Sequence, residues 1–158
     1  MPSPYNKSFT AHVIQSDDVT KQRYSEIKNE LLSYSKVHAR ASWKYETFSY
    51  SRKPIAKLVF RGKTLCLFLS LNATDYIEKY SVEDATELSS KYAATPLLIR
   101  LKNNKRMKIA KLLIGEAMNQ MGIEPLPEHA YVDYRVDYVE TEDLVEKGLV
   151  KRNNKTNH

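Results

Sequence analysis

Apolar residues along this chain recur at two periods, of two and of about 3.6 residues, which predicts both strands and helices. In KSFTAHVIQS, residues 7–16, apolar side chains alternate with polar ones, and this pattern predicts a short strand or extended arm. Ser16 with Asp17 and Asp18 then provides a helix start, because a hydroxyl can cap the first turn and acids favour the positive end of the helix dipole. Apolar residues at three- and four-residue spacing continue to about Tyr34, which predicts an amphipathic helix.

Four later segments have the patterns of strands. Residues 37–45, VHARASWKY, alternate apolar and polar positions. Residues 55–71, IAKLVFRGKTLCLFLSL, predict a hairpin that turns at Gly62, since glycine readily adopts the positive φ of a tight turn. Leucines at alternate positions of its second strand face one way, so that strand is predicted to form the centre of the sheet. Pro96 opens a strand LLIRLK, and residues 130–139, AYVDYRVDYV, alternate again.

Cap residues and spacing predict three further helices. An acidic segment, residues 83–92, predicts a weak helix. Asn103 or Asn104 can cap a longer helix that continues to Gly122, which provides a stop. Residues 141–148, TEDLVEKG, predict a short capped helix that ends at a glycine.

These elements predict an α+β fold with one antiparallel-rich sheet of about five strands and helices packed mainly on one face. A chain of 158 residues has the usual size of one domain, assigned here to residues 1–150, and residues 151–158 are expected to form a polar flexible tail. The side chains predicted to form the core are Trp43, Leu58, Phe60, Leu67, Leu69, Ile99, Ile114 and Met118.

Basic and acidic residues are concentrated in different segments of the chain, which the net charge of +6 does not reveal. Residues 36–63 carry eight Lys or Arg and a single acid, Glu46. Residues 100–111 carry six bases and no acid, whereas residues 112–146 carry nine acids opposed only by Arg135. Such segregation predicts a charged partner, and the excess of basic residues favours a polyanion.

The cysteine count and the hydropathy of the chain bear on the cellular compartment of the protein. Cys66 is the only cysteine, which rules out an internal disulfide and suggests a reducing environment. No apolar run has the length of a signal peptide core or a membrane span. We therefore expect a cytoplasmic protein without a membrane partner.

The basic residues of the strands point to a candidate binding surface. If the strands form one sheet, these cations project from the face opposite the leucines, with apolar side chains interleaved between them. Cations can bind phosphates while flat groups stack on bases, which suits a nucleic acid. The candidate residues are Arg40, Lys44, Lys57, Arg61, Lys63, Phe68, Arg100, Lys102, Lys105 and Lys108. In the alternative interpretation, the last strand or a helix covers the apolar residues and leaves the cations as a solubilising rim.

Enzymatic chemistry has little support in the sequence. The histidines, at positions 12, 38, 129 and 158, have no metal-ligand spacing. Cys66 lies in mid-strand among leucines, where a buried inert thiol is expected. No catalytic residue, metal ligand or cofactor is therefore predicted, although a catalytic site assembled from distant residues stays open.

Two segments carry a resemblance to known domains. Residues 52–72, RKPIAKLVFRGKTLCLFLSLN, and residues 95–114, TPLLIRLKNNKRMKIAKLLI, resemble the YdhG-like and MmcQ/YjbR-like small α+β domains, over roughly residues 9–122. The chain also resembles short proteins of low-GC Gram-positive bacteria or their phages. The resemblance implies the α+β fold, and for MmcQ/YjbR relatives it implies DNA binding. No catalytic residue of these families maps onto the sequence.

Three functional hypotheses follow in order. The first is a non-enzymatic module that binds nucleic acid or another polyanion through the basic sheet face and the basic N-terminus of the helix after Lys102. The second is a protein-interaction or inhibitor module, for example phage-encoded and acting on a nucleic-acid-handling complex, or a homodimer that joins basic and acidic surfaces. An enzyme is the third.

Overall fold

A computed structural model describes residues 4–153 and shows an α+β fold with two antiparallel sheets. The larger sheet has six strands in the order β2-β3-β4-β5-β7-β6, and the smaller one pairs β1 with β8. The strands are β1 (Tyr5–Lys7), β2 (Val37–Ala41), β3 (Tyr45–Tyr50), β4 (Lys53–Arg61), β5 (Thr64–Leu69), β6 (Glu83–Asp84), β7 (Leu97–Arg100) and β8 (Val150–Arg152). The helices are α1 (Phe9–Ile14), α2 (Asp18–Leu32), α3 (Ile77–Tyr80), α4 (Asn104–Gln120) and α5 (Thr141–Glu146). The α+β class is confirmed, but the expected single sheet of about five strands is replaced by two sheets.

The central hairpin has the predicted register. Gly62 adopts a φ of +64° in the turn between β4 and β5, and Leu67 pairs with Leu58 on one side and Ile99 on the other. We call this side of the sheet the leucine face; α2 and α4 pack against it, and the side chains between them are fully or nearly fully buried. Most of the predicted core is therefore confirmed. The buried members are Leu58, Leu67, Leu69, Ile99, Ile114 and Met118.

Two predicted core aromatics have other positions. Phe60 is only partly buried at the margin of the core. Trp43 is wrong as a core residue, because it lies in the turn between β2 and β3, where its indole N–H donates to Oδ1 of Asn6 at 3.1 Å. The 37–45 segment is not one strand, since the chain reverses there and the unpredicted strand β3 follows.

The predicted cap of α4 is confirmed, but the hydroxyl cap predicted for α2 is wrong, because Ser16 donates its hydroxyl to the carbonyl oxygen of Val13 and Asp17 takes the cap position. Asp17 precedes α2, and its carboxylate accepts the backbone N–H of Thr20 at 2.7 Å. Asn103 caps α4 by accepting the backbone N–H of Arg106 at 2.9 Å, and α4 ends next to Gly122, whose φ is +69°. Both long helices therefore begin where side-chain acceptors satisfy free backbone donors.

The predicted N-terminal strand is wrong, because the segment folds as helix α1. Ser8 caps it and accepts the N–H of Ala11 at 3.1 Å. The side chains of Phe9 and Val13 pack on the main core, whereas Ala11 belongs to a separate cluster with Leu144. A short helix buried on both sides has apolar residues at alternate positions, and this mimics the period of a strand.

Residues 130–139 do not form the predicted strand either. Segment 129–139, here called the extended segment, runs along α2 and is held there by side chains. The side-chain amide of Asn29 on α2 makes the two bonds that a neighbouring strand would make. It donates to the carbonyl oxygen of Val132 at 2.7 Å and accepts the N–H of Val132 at 2.9 Å. The hydroxyl of Ser25 accepts the N–H of Tyr134 at 3.0 Å. The alternating pattern is present, but a helix takes the place of a neighbouring strand.

The weak helix predicted over residues 83–92 is also wrong. The segment contains strand β6 followed by two short 3-10 turns, Ala85–Glu87 and Ser90–Tyr92. Asp84 accepts the N–H of Thr86 at 3.0 Å, so a polar side chain closes the first turn locally. Such local bonds favour turns over a continuous helix.

The first and last strands of the described chain, β1 and β8, pair in the smaller sheet. Lys151 and Arg152, expected to begin a flexible tail, instead pair with β1 as part of β8. The rest of that expected tail, residues 154–158, lies outside the described residues. Together β1, α1, α5 and β8 form a terminal unit with its own cluster around Ala11, Leu144 and Val150. Within residues 4–153, no helix has both the length and the apolar character needed to cross a membrane.

Candidate functional site

Strand register places four of the predicted basic residues, Arg40, Lys57, Arg61 and Arg100, on the face opposite the leucines, whereas Lys105 and Lys108 lie on α4, which packs against the leucine face. One row across this opposite face runs from Arg40 through Thr47 and Lys57 to Phe68. The neighbouring row contains Arg100, opposite Cys66. The prediction that Arg40 and Arg100 share a face is therefore confirmed. Four strand spacings separate β2 from β7, so their backbones lie about 19 Å apart.

A second layer covers the middle of this face. The ring of Phe68 stacks on that of Tyr92 with centroids 4.1 Å apart, and both side chains are buried. Ala85 completes the cover, and the cluster beneath it includes Val59, Cys66 and Leu98. The cover consists of the two 3-10 turns rather than a terminal strand or a helix. Phe68 is therefore wrong as a base-stacking residue, because no ligand can reach its ring.

Lys57 is withdrawn from solvent by the same cover. The side chain retains 9% exposure, and its Nζ lies 4.4 Å from the centroid of the Tyr45 ring. Nζ also donates to the carbonyl oxygen of Lys91 at 3.3 Å. A cation held between an aromatic face and a carbonyl oxygen supports the cover. The prediction that Lys57 belongs to the candidate binding surface is therefore wrong.

Arg100 has an acidic partner within the sheet. Its Nε and Nη2 donate to the two carboxylate oxygens of Glu83 at 2.7 and 3.2 Å. The bond from Arg100 is the main reason that the pKa of Glu83 lies below its ordinary value, and the charges of Arg61 and Lys102 lower it further. Arg100 thus contributes little free positive charge, while Arg61 and Lys102 lie close enough to act on the same carboxylate.

Four exposed cations surround the ends of β4, β5 and β7. The N–H of Leu101 donates to the carbonyl oxygen of Leu65 at 2.9 Å, and this bond extends the pairing of β7 with β5. Arg61 pairs with Thr64 across the hairpin, and Lys102, which follows Leu101, donates its backbone N–H to the carbonyl oxygen of Arg100 at 3.0 Å. The exposed residues of this surface, here called the basic corner, are Arg61, Lys63, Lys102 and Lys105.

The acids near the basic corner bond to other groups: Glu83 accepts from Arg100, and Asp17 accepts the backbone N–H of Thr20. None of the four residues of the basic corner forms an ion pair within residues 4–153. Lys108 follows one helical turn after Lys105 and is also exposed. Arg106, between them, is committed to structure, because its Nη1 donates to the carbonyl oxygen of Tyr80 at 2.7 Å.

Arg40 and Lys44 come from the edge of the sheet. Arg40 is exposed on the edge strand β2, and Lys44 is exposed in the turn before β3 rather than on a strand face. The predicted basic face is interrupted, because Lys57 and Phe68, which continue the row of Arg40 across the sheet, lie under the cover.

A cleft of about 490 Å³ separates the terminal unit from the turn of the central hairpin. Its walls carry Lys7 and His12 from the terminal unit and Phe60 and Lys63 from the hairpin. The His12 ring stacks on that of Phe60, with centroids 5.4 Å apart and planes inclined by 20°. Tyr138 of the extended segment also lines the cleft. Of these residues, the sequence pattern had singled out only Lys63 for binding, because the cleft depends on the unpredicted pairing of β1 with β8.

The cleft makes a testable contribution to pH dependence. Burial lowers the pKa of His12, and the charge of Lys7 lowers it further. Below about pH 6.5 the unfolded chain takes up a proton that the folded chain resists, so folding stability should decrease as the pH falls. Denaturant titrations between pH 8 and pH 5 should show a smaller decrease for His12→Phe, which keeps a stacking ring. Asp17 and Lys63 face the same cleft and are unchanged in the variant. The matched variant of exposed His38, His38→Phe, should keep the wild-type profile; an unaltered profile for His12→Phe would contradict the assignment.

A buried charge cluster lies on the leucine face near a second cavity of about 300 Å³. Glu46 of β3 is only 4% exposed; its oxygens accept bonds from the Tyr24 hydroxyl and from Nζ of Lys28, each at 2.8 Å. Nζ of Lys28 also lies 4.4 Å from the ring centroid of Tyr134. Burial and the negative charge of Glu46 raise the pKa of Tyr24, which keeps its phenol protonated. Each member has a partner, so the cluster anchors β3 and the extended segment to α2.

Cys66 has the inert environment that the sequence predicts. The thiol is buried under the cover, and burial raises its pKa to about 11. No group of three or more His, Cys, Asp or Glu residues in the described part of the chain could hold a metal ion. Comparison with protein-family models, curated proteins and solved structures finds no match.

Proposed function

We propose that this chain is a non-enzymatic module that binds nucleic acid at the basic corner. The observation that carries the proposal is that four exposed cations without an ion pair in the described residues lie at the end of β4, in the turn before β5, after β7 and in the first turn of α4. The nearest strand acid, Glu83, is engaged by Arg100. Like charges held together in this way favour an anionic partner whose phosphates neutralise them.

The proposed contacts are to phosphates rather than to bases. Phe68 and Tyr92 are buried against each other, and the ring of Tyr45 is occupied by Lys57, so these aromatic residues are not available for stacking. Binding should therefore depend little on sequence and strongly on salt. With about four phosphate contacts, the logarithm of the affinity for duplex DNA should fall with the logarithm of salt concentration with a slope of about −3.6.

Other features support the same proposal without deciding it. The resemblance to MmcQ/YjbR-like domains implies DNA binding and stays a prediction. We place the module in the cytoplasm, because its single cysteine is a buried thiol that needs no oxidising compartment.

Charge reversal at two residues of the basic corner tests the proposal. The double variant Lys102→Glu/Lys105→Glu should lose nearly all binding to duplex DNA at about 50 mM salt, where phosphate contacts are strong. Its melting temperature should be nearly unchanged, because both side chains are exposed and unpaired. Binding can be followed by fluorescence anisotropy of a labelled duplex, and folding by circular dichroism.

The control changes the net charge equally at the other end of the strands. Lys36 and Lys53 are exposed beside the starts of β2 and β4, so Lys36→Glu/Lys53→Glu should weaken binding only slightly. An equal loss in both double variants would mean that net charge alone drives binding. Failure of the wild-type chain to bind DNA or RNA of either strandedness at that salt would refute the proposal.

A protein-interaction module is the second candidate. The extended segment leaves Tyr131, Val132 and Val136 exposed, each close in sequence to the acid Asp133 or Asp137. Apolar side chains flanked by acids favour a protein surface as partner. A complex formed there would persist at salt concentrations that abolish phosphate contacts.

A further inference from the structure

We propose that the cleft between the terminal unit and the hairpin turn binds a phosphate monoester that carries a planar ring, of the size of a mononucleotide. The cleft joins two lysines, a histidine ring and two aromatic side chains from separate parts of the chain. This inference does not rest on nucleic-acid binding at the basic corner. Lys7 and His12, which the proposal needs most, lie outside that corner.

The anionic group of the ligand would lie between Lys7 and Lys63. Lys7 ends strand β1, and Lys63 lies in the turn after β4, so the two side chains come from opposite walls of the cleft. Among residues 4–153, Asp17 is the one carboxylate lining the cleft; it is engaged in capping α2, and Lys63 acts on it electrostatically. Two lysines against one aspartate leave an excess of positive charge.

His12 supplies a directional polar group. Neither ring nitrogen has a hydrogen-bond partner within residues 4–153, although stacking on Phe60 fixes the plane of the ring. Burial lowers the pKa of His12, so near neutral pH the ring is uncharged and has one donor and one acceptor nitrogen. Its N–H can donate to a phosphate oxygen, and this bond fixes the orientation of the anion.

The size of the cleft and its aromatic side chains favour a ligand that carries a planar ring. A volume of about 490 Å³ exceeds the needs of inorganic phosphate and falls within the range of small-molecule sites, about 300–1,000 Å³. Of the two aromatic residues that line the cleft, Phe60 is partly buried and Tyr138 is 55% exposed. A planar group that packs on Tyr138 would cover apolar surface that water now contacts.

Calorimetric titrations with four probes test this inference. We expect adenosine monophosphate to bind with a Kd below about 1 mM, a modest affinity for a site of this size. Adenosine, ribose 5-phosphate and inorganic phosphate should each bind at least about tenfold more weakly, since each lacks the ring or the anion. Lys7→Met and His12→Phe should each weaken the binding of adenosine monophosphate about tenfold, because each substitution removes a hydrogen-bond donor to the charged phosphate and keeps a side chain of similar size.

Control variants separate this site from the basic corner. Lys44→Met removes an exposed lysine elsewhere and should leave adenosine monophosphate binding unchanged, as should Lys102→Glu/Lys105→Glu. Folding of each variant can be verified from its melting curve. The inference is overturned if adenosine monophosphate does not bind, if inorganic phosphate binds equally well, or if Lys7→Met and His12→Phe, both folded, bind it normally. Duplex binding by Lys7→Met reports separately on the basic corner.

Discussion

Leu67→Ala is expected to lower the free energy of unfolding by about 2–5 kcal/mol, the usual range for a buried leucine. Leu67 lies at the centre of the six-stranded sheet, fully buried between Leu58 and Ile99 and beneath the helices of the leucine face. Truncation leaves a cavity that neighbouring strands cannot close, because their hydrogen bonds fix the backbone spacing. Urea denaturation followed by circular dichroism measures the change.

Leu112→Ala is the matched control. Leu112 lies on α4 but is 50% exposed, so the same truncation should change stability by no more than about 0.5 kcal/mol. A loss below about 1 kcal/mol for Leu67→Ala would be incompatible with a central position in a close-packed core.

Glu46→Gln is expected to cost about 3 kcal/mol, although it keeps the shape of the side chain. The substitution removes a buried negative charge and leaves the ammonium group of Lys28 without its partner, and breaking one side of a buried pair usually costs about 3–5 kcal/mol. We expect the lower end of that range because the Lys28 side chain retains 15% exposure. Urea denaturation at neutral pH measures the loss.

Two further variants identify the cause. Lys28→Met/Glu46→Gln should recover much of the loss, because no unpaired charge then remains near the core. Glu142→Gln breaks an exposed ion pair with Arg152 and should cost less than about 1 kcal/mol. If Glu46→Gln is as mild as Glu142→Gln, the cluster around Tyr24 does not anchor β3 to α2.

The parts of the fold that could be predicted are those with a local cause. Gly62 supplies the positive φ of a tight turn, and Asn103 supplies an acceptor to the first turn of α4. The leucines of β5 share a face because side chains alternate along a strand. Each of these features depends on residues close in sequence, so the pattern alone was sufficient.

The parts that could not be predicted depend on contacts between distant segments. Helix α1 is buried on two sides, and the extended segment pairs with Asn29 of a helix, so both have the alternation of a strand without being one. The alternation of residues along a strand predicts which side chains share a face of the sheet, but it does not predict which distant segment covers that face. The apolar character of Phe68 and Cys66 indicated a cover, but not that 3-10 turns would provide it.

The candidate surface was therefore only partly predictable. Arg61, Lys63, Lys102 and Lys105 remain exposed because they stand at strand ends and at the first turn of a helix, beyond the reach of the cover. Lys57 lies in mid-strand, where Tyr45 and the carbonyl oxygen of Lys91 enclose it. A cation near the end of an element is thus a better candidate for binding than one at its middle.

The pairing of β1 with β8 also has a consequence for the order of folding. Tyr5 contacts Glu142, 137 positions away, whereas β3, β4 and β5 are joined by tight turns. Closing so long a loop costs more chain entropy than closing a hairpin, so the hairpins can form while the ends of the chain are still apart. The terminal unit would then join last and detach first, as a cooperative unit of lower stability than the sheet. Since one wall of the 490 Å³ cleft belongs to that unit, the cleft exists only in molecules whose two ends are docked.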